Sequence, residues 1–266
     1  MSSNDLVLRE RRGSVHWLTI NRPEQQNQVV WELFPLLIEG IQAAQQDPDA
    51  RAIVITGAGN RWFCGGGDLG KDEERSRAGS APDWLLHPIV RLFQAVEACG
   101  LPVVARVNGH AMAPGLSLLS MVDLAVAADH AQFGLPEARV GLVNTLGMVY
   151  LQRLVPRRKL LELMLTAEPV PAAQALELGL VNHVVPAAEL DDKLAWLLNR
   201  LTDKSPEALR RGKFAFKAME DMTLDQALRF GCSAAGNMLL TPEFREGVRA
   251  FSERRPPQWL PRTTEP

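Results

Sequence analysis

Apolar and polar positions alternate through Val15-His16-Trp17-Leu18-Thr19-Ile20, which predicts a strand ending at the turn signal Asn21-Arg22-Pro23-Glu24. From about Val29 to Gln46 the period lengthens. Leu33, Leu37, Ile41 and Ala44 recur at helical spacing, and Pro35 falls in the first turns, where a missing N–H is best tolerated. Arg51 to Thr56 reads as a short buried strand, followed by glycine-rich Gly57 to Gly70. A second helix is expected over roughly Trp84 to Ala98 and a strand over Pro102 to Asn108. The turn Gly109-His110-Ala111 then leads into a small-residue helix beginning near Pro114. Strand-like Leu124 to Ala127 and Ala131 to Phe133 follow. This alternation predicts an α/β architecture with parallel strands and crossover helices, either a doubly wound sheet or a spiral of ββα turns.

Beyond about Ala187 the pattern is helical: Leu190 to Leu201, Ser205 to Met219, Thr223 to Leu240 and Thr241 to Phe251. Ser205-Pro206-Glu207 and Thr241-Pro242-Glu243 each place a hydroxyl at the N-cap, proline at the first helical position and a carboxylate in the first turn. The chain thus divides into an α/β core over residues 1–186 and a helical C-terminal region over 187–266. The second part is too small to hold a large core alone and is expected to pack on the first or on another subunit.

Composition narrows the class without changing this outline. The 266 residues are 46% hydrophobic and 23% charged, which excludes disorder and a disulfide scaffold. A net charge of -2 leaves no basic excess for a polyanionic duplex, so nucleic acid is not an expected partner. The most apolar stretch, Gly115 to Ala128, is broken by Ser117, Ser120 and Asp123, so no membrane association is expected. Met1 to Arg12 lacks the apolar run of a signal peptide. Cys64, Cys99 and Cys232 form no metal signature and read as reduced thiols in the cytoplasm; no metal is expected.

Gly65-Gly66-Gly67-Asp68-Leu69-Gly70-Lys71-Asp72 contains G-x-G-x-x-G and G-x-x-x-x-G-K. A P-loop, however, needs Ser or Thr after the lysine, where Asp72 stands. The dinucleotide fingerprint needs its glycines between a strand and an apolar helix, and neither flank fits. Three readings stand for the loop: a nucleotide site, which these mismatches weigh against, a sharp structural turn, or a backbone N–H brought close to a ligand oxygen, as in an oxyanion hole.

The motif set resembles the enoyl-CoA hydratase/isomerase (crotonase) superfamily. It comprises Asn21-Arg22-Pro23-Glu24 with Asn27, then Ile55-Thr56-Gly57 and Phe63 to Leu69. Val107 to Ala111, Asp123-Leu124 and Ala131 to Glu137 with Gly141 follow, then Leu176 and Gly179 to Asn182, Ser205 to Glu207, and Glu246 to Pro257. The resemblance implies a crotonase-like spiral of ββα repeats with a C-terminal helical trimerisation region. It implies a homo-oligomer, a trimer or dimer of trimers, and an acyl-CoA thioester as substrate with no further cofactor. Carried over by position, Gly67 supplies one oxyanion-hole N–H. Gly66, Gly67, Asp68, Leu69 and Gly70 lie along the thioester and pantetheine arm, and the turn at Gln25 lines the CoA entrance.

Two departures from that pattern bear on chemistry. The second oxyanion donor falls in Ala113-Pro114-Gly115, where Pro114 has no N–H to give; Gly115 substitutes if the turn is shifted. Hydratases of the family carry two glutamates, and here Ser117 occupies the first position and Glu137 the second. The reading is an acyl-CoA enzyme that stabilises a thioester enolate while Glu137 transfers a proton, with Ser117 beside it. That describes an enoyl-CoA hydratase-like lyase, with a double-bond isomerase close behind. The alternative is an acyl-CoA-binding protein on the same scaffold, impaired by Pro114. Asn144 stands where many members have proline; Cys64 reads as a buried filler, His110 as a turn residue and His87 as a lid or surface residue.

Overall fold

Strand β1 (Val7–Arg12) turns back at Gly13 onto β2 (Val15–Ile20), the first step in the computed structural model, which describes residues 6–68, 70 and 87–260. Beyond β2 the large sheet runs parallel through β3 (Ala52–Gly57), β5 (Val103–Val107), β7 (Leu124–Ala128) and β10 (His183–Val185). A smaller sheet is built from β4 (Trp62–Cys64), β6 (His110–Met112), β8 (Gln132–Gly134) and the antiparallel β9 (Val170–Pro171).

Chain order settles between the two layouts that the sequence leaves open. Strands β3, β5 and β7 of the large sheet each pass first to a short strand of the small sheet and only then to a helix. β3 and β4 precede α2 (Pro88–Glu97), and β5 and β6 precede α3 (Pro114–Ser120). In the first turn the bridge from Val29 to Gly67 stands for the short strand, between β2 and α1 (Leu33–Gln46). A doubly wound sheet would return every helix directly to the same sheet. This chain is a spiral of ββα repeats with helices at its C-terminal end.

Central strand β3 is buried at every position, as a parallel strand covered on both faces requires. Edge strand β1 buries only Val7, and its remaining side chains, mostly charged, face solvent, a composition that blunts an open edge. The main core lies between the sheets and α1–α3, around Leu33, Leu37, Ile41, Phe63, Leu92 and Phe133. A second core covers the outer face of the large sheet, where Leu190, Leu194, Leu197 and Leu198 of α7 (Leu190–Thr202) meet Trp17, Val54, Val104 and Val126. Each such leucine stabilises the packing by about 1.5–3 kcal/mol, so α7 is held firmly on the sheet.

Between β8 and β10 the chain forms α4 (Thr145–Leu154), α5 (Arg157–Thr166) and α6 (Ala172–Glu177). The last three helices, α8 (Pro206–Met219), α9 (Leu224–Leu239) and α10 (Pro242–Glu253), bury only Ala250 among them. Their caps form as the sequence predicts: Ser205 accepts from the Ala208 N–H and Thr241 from the Phe244 N–H. A partly buried ion pair ties α8 to the core. Lys213 Nζ donates to Asp123 Oδ2 at 2.6 Å and to the Leu101 carbonyl at 3.0 Å, while the same Asp123 oxygen accepts the Val103 N–H at 2.7 Å.

Two local expectations are corrected. His110 and Ala111 belong to strand β6 rather than to a turn, a piece too short for alternation to reveal. His87 is neither lid nor surface: it is buried, caps α2 by accepting the Ile89 N–H, and sets its ring edge-on to Trp31.

Candidate active site

Two buried asparagines fix the glycine-rich segment. Asn27 Oδ1 accepts the Arg22 N–H, and its Nδ2 donates to the carbonyls of Ala58 and Trp62. Asn108 Nδ2 donates to Gly59 and Trp62, and its Oδ1 accepts the Gly57 N–H at 3.1 Å. Buried amides persist only when satisfied, and these spend themselves holding the loop over residues 57–62. The sequence shows both residues as motif positions, yet their work is visible only in the fold.

Downstream of that clamp, the Gly65 N–H donates to the Gln26 carbonyl, and the Val29 N–H donates to the Gly66 carbonyl, both at 2.8 Å. In a parallel bridge of this kind Val29 spends its groups on the neighbours of Gly67, which leaves the Gly67 N–H outside the ladder. Gly66 sits at φ +117°, where a side chain is strained, and a Cβ there would lie 3.2 Å from the Ala113 Cβ. A Cβ on Gly115 would lie 2.8 Å from the Cys64 Cβ and closer still to its carbonyl oxygen. The segments 64–67 and 113–115 are therefore in direct contact. Burial pushes the Cys64 thiol up to about 12, against the backbone N–H groups of Gly66 and Val29, so it is inert as a nucleophile.

Helix α3 opens from Ala113, whose φ of +52° and ψ of −125° are unusual for a residue with a side chain. Pro114 is the first helical residue and brings no N–H. The Leu116 and Ser117 N–H groups both end on the Ala113 carbonyl. Only the Gly115 N–H at this helix start has no acceptor among the described residues.

Glu137 lies in a 3-10 turn over Pro136–Val140, and both its carboxylate oxygens are buried with no hydrogen-bond partner among the described residues. Burial pushes its carboxyl above the ordinary value, with its own backbone N–H and the nearby Asn144 amide pulling back. Ser117 is fully buried. Its Oγ accepts from Asn144 Nδ2 at 2.9 Å and has Asn144 Oδ1 at 3.2 Å. Asn144 was visible in the sequence only as a departure from proline, and no spacing rule announced its link to Ser117.

The expected CoA side of the site comes together in part. Gln25 is exposed in the turn over Pro23–Gln25, beside the Gln26–Gly65 contact. Arg22 donates to the Gln28 carbonyl at 2.7 Å and stands 4.0 Å from Asp68 Oδ2. Gly70 is exposed near Asp68; Leu69 lies outside the described residues. An apolar cavity of about 390 Å³ lies elsewhere, among Ser205, Met238, Phe244, Phe251 and Trp259, and includes none of these residues. No described helix is long and apolar enough to cross a membrane.

The sequence profile described as enoyl-CoA hydratase/isomerase matches residues 10–262. The chain is 31% identical to the enoyl-CoA hydratase domain-containing protein 3, mitochondrial, of Danio rerio, over 97% of this chain and 88% of that protein. It is 32% identical to the carnitinyl-CoA dehydratase of Escherichia coli K12, over 94% of this chain and 96% of that one. The crystal structure of human enoyl coenzyme A hydratase domain-containing protein 3 superposes with a TM-score of 0.89 at 29% identity, covering 96% of this chain and all of that chain, 100%.

Proposed function

The chain belongs to the enoyl-CoA hydratase/isomerase family, and from that premise we propose that it is a lyase-type enzyme acting on the enoyl group of an acyl-CoA thioester. The observation that carries this is the Glu137 carboxylate, whose two oxygens are buried without a full hydrogen bond among the described residues. A carboxylate kept out of water without a cation is poised to take and return a proton.

Glu137 removes a proton from the carbon next to the thioester. The electron pair moves into the C–S-bearing carbonyl, and the N–H groups of Gly67 and Gly115 hold the resulting oxyanion. In dehydration the C3–O bond then breaks and the Glu137 proton leaves with that oxygen as water; hydration is the reverse. Returning the proton to C4 of a 3-enoyl thioester instead shifts the double bond. The single carboxylate, with Ser117 in the other position, favours this isomerase reading as the second. Pro114 favours a third, an impaired acyl-CoA-binding protein, because a lost oxyanion donor costs about 2.7–4 kcal/mol of transition-state stabilisation.

Arg22, Gln25, Gly65 to Asp68 and Gly70 line the CoA entrance in this proposal. Self-association as a trimer or a dimer of trimers fits the exposed Phe216, Leu224 and Phe251 and the cavity among α8 to α10. Three unpaired cysteines fit a reducing compartment such as the cytoplasm.

Deuterium uptake from heavy water into a panel of saturated and unsaturated acyl-CoAs tests the reading. Uptake next to the thioester is expected in the wild type and absent in Glu137→Gln, and the second labelled carbon separates hydration from isomerisation. Measurable acyl-CoA binding with no uptake in the wild type would support the binding protein instead.

A further inference from the structure

The Asn144 side chain has a nearly complete hydrogen-bond account. Its Oδ1 accepts the Gly147 N–H at 2.9 Å, which caps α4 and fixes which way round the amide sits. With that orientation, one Nδ2 hydrogen goes to Ser117 Oγ at 2.9 Å. The second Nδ2 hydrogen makes no full hydrogen bond among the described residues, yet the Asn144 side chain lies close enough to Glu137 to pull its carboxyl downward against burial. Ser117 is fully buried, and both hydrogen bonds of its Oγ go to the Asn144 amide. A Cβ on Gly147 would lie 2.7 Å from Asn144 Oδ1 and overlap Ser117 Oγ, so the backbone of α4 closes against the pair.

The chain then turns toward Glu137. The Leu142 N–H donates to the Glu137 carbonyl at 3.0 Å, which brings the segment carrying Asn144 back to that residue. The two Glu137 carboxylate oxygens have no donor among the described residues, and Asn144 has one N–H to give.

We propose that Asn144, rather than Ser117, is the polar partner of Glu137: Ser117 anchors the amide, and the free Asn144 N–H faces the carboxylate or the water between them. The inference rests on Glu137 being the working base. It replaces the second carboxylate of a two-glutamate site with a neutral donor, which orients an oxygen without competing for the proton. Asn144 is thus a positioning residue, and Ser117 acts through it.

The test compares the wild type with Asn144→Ser, Asn144→Asp and Ser117→Ala. Serine and aspartate both cap helices, so α4 retains its start in either Asn144 variant. The Glu137 carboxyl is titrated in substrate-free protein by difference infrared spectroscopy, its band assigned by its loss in Glu137→Gln. Its midpoint is expected to rise in Asn144→Ser, which removes the donor, and further in Asn144→Asp, which adds a like charge. In proton exchange on acyl-CoA, kcat is expected to fall about 10- to 100-fold in Asn144→Ser, the worth of one hydrogen bond to a charged group, with KM nearly unchanged. Ser117→Ala should fall less, in the same direction. An unmoved midpoint and kcat in Asn144→Ser overturn the inference, as does a larger loss in Ser117→Ala than in Asn144→Ser. A shifted midpoint in a protein that exchanges no proton on any acyl-CoA overturns the assigned reaction while the Asn144–Glu137 coupling stands.

Discussion

Gly115→Ala puts the oxyanion hole to a geometric test. The new methyl would start 2.8 Å from the Cys64 Cβ and nearer to the Cys64 carbonyl oxygen. Neither neighbour is a flexible side-chain end, and Cys64 is fully buried. An ordinary contact of 3.4 Å therefore requires the segments to part by at least 3.4 − 2.8 = 0.6 Å, and by more at the carbonyl. The two donors proposed above flank that contact: Gly115 is itself one, and Gly67 follows Cys64 closely. A misplacement of about 1 Å costs up to about 10²-fold in rate, so kcat should drop about 10- to 100-fold. Overpacking also costs about 1–3 kcal/mol of stability, which urea unfolding reads separately. Gly231→Ala is the control. A Cβ there meets nothing within 4 Å, and in mid-helix it should stabilise by about 0.4–1 kcal/mol without altering the rate. If Gly115→Ala folds and turns over at the wild-type rate, the facing segments 64–67 and 113–115 do not form the oxyanion hole.

Three further outcomes are expected. Pro114→Ala restores a helix N–H, but Gly115 already offers one, so kcat should rise less than about tenfold; a gain of 10²–10³ would mean the second donor had been missing. Burial holds the Glu137 carboxyl above its ordinary value, so its destabilising cost is full above the folded pKa and vanishes below the unfolded one. Wild type should therefore melt below Glu137→Gln at about pH 8 and converge with it as pH falls toward about 4.5, and melts that stay parallel would contradict that sign. Asp123→Asn strips the charge from the partly buried pair with Lys213, and a loss of about 1.5–3 kcal/mol in urea unfolding is expected, with no change meaning the tether is ornamental.

Where long periodic segments carry the fold, the sequence is readable. The strand over Val15 to Ile20 and the capped helices after Ser205 and Thr241 form where pattern and capping chemistry put them. The short strands are another matter. Trp62–Cys64 and His110–Met112 span too few residues for alternation to register, yet they distinguish the spiral from a doubly wound sheet. The site shows the same division. Glu137 and Gly67 can be found from motif position, whereas the freedom of the Gly67 N–H depends on a bridge to Val29 from a distant turn. Asn144 and Ser117 join across a helix–helix contact, and no local pattern encodes that pairing.

The order in which the large sheet is assembled bears on synthesis. Strand β7 is Leu-Ala-Val-Ala-Ala, and its outer partner β10 starts only at His183, with the covering α7 later still. On the ribosome, every strand through β7 emerges before the one that closes its edge. A nascent chain paused short of residue 183 therefore displays an apolar strand with one open edge and a bare sheet face, two features that invite aggregation. That edge stays open until His183–Val185 is made, and the face stays bare until the helix over Leu190–Thr202 follows.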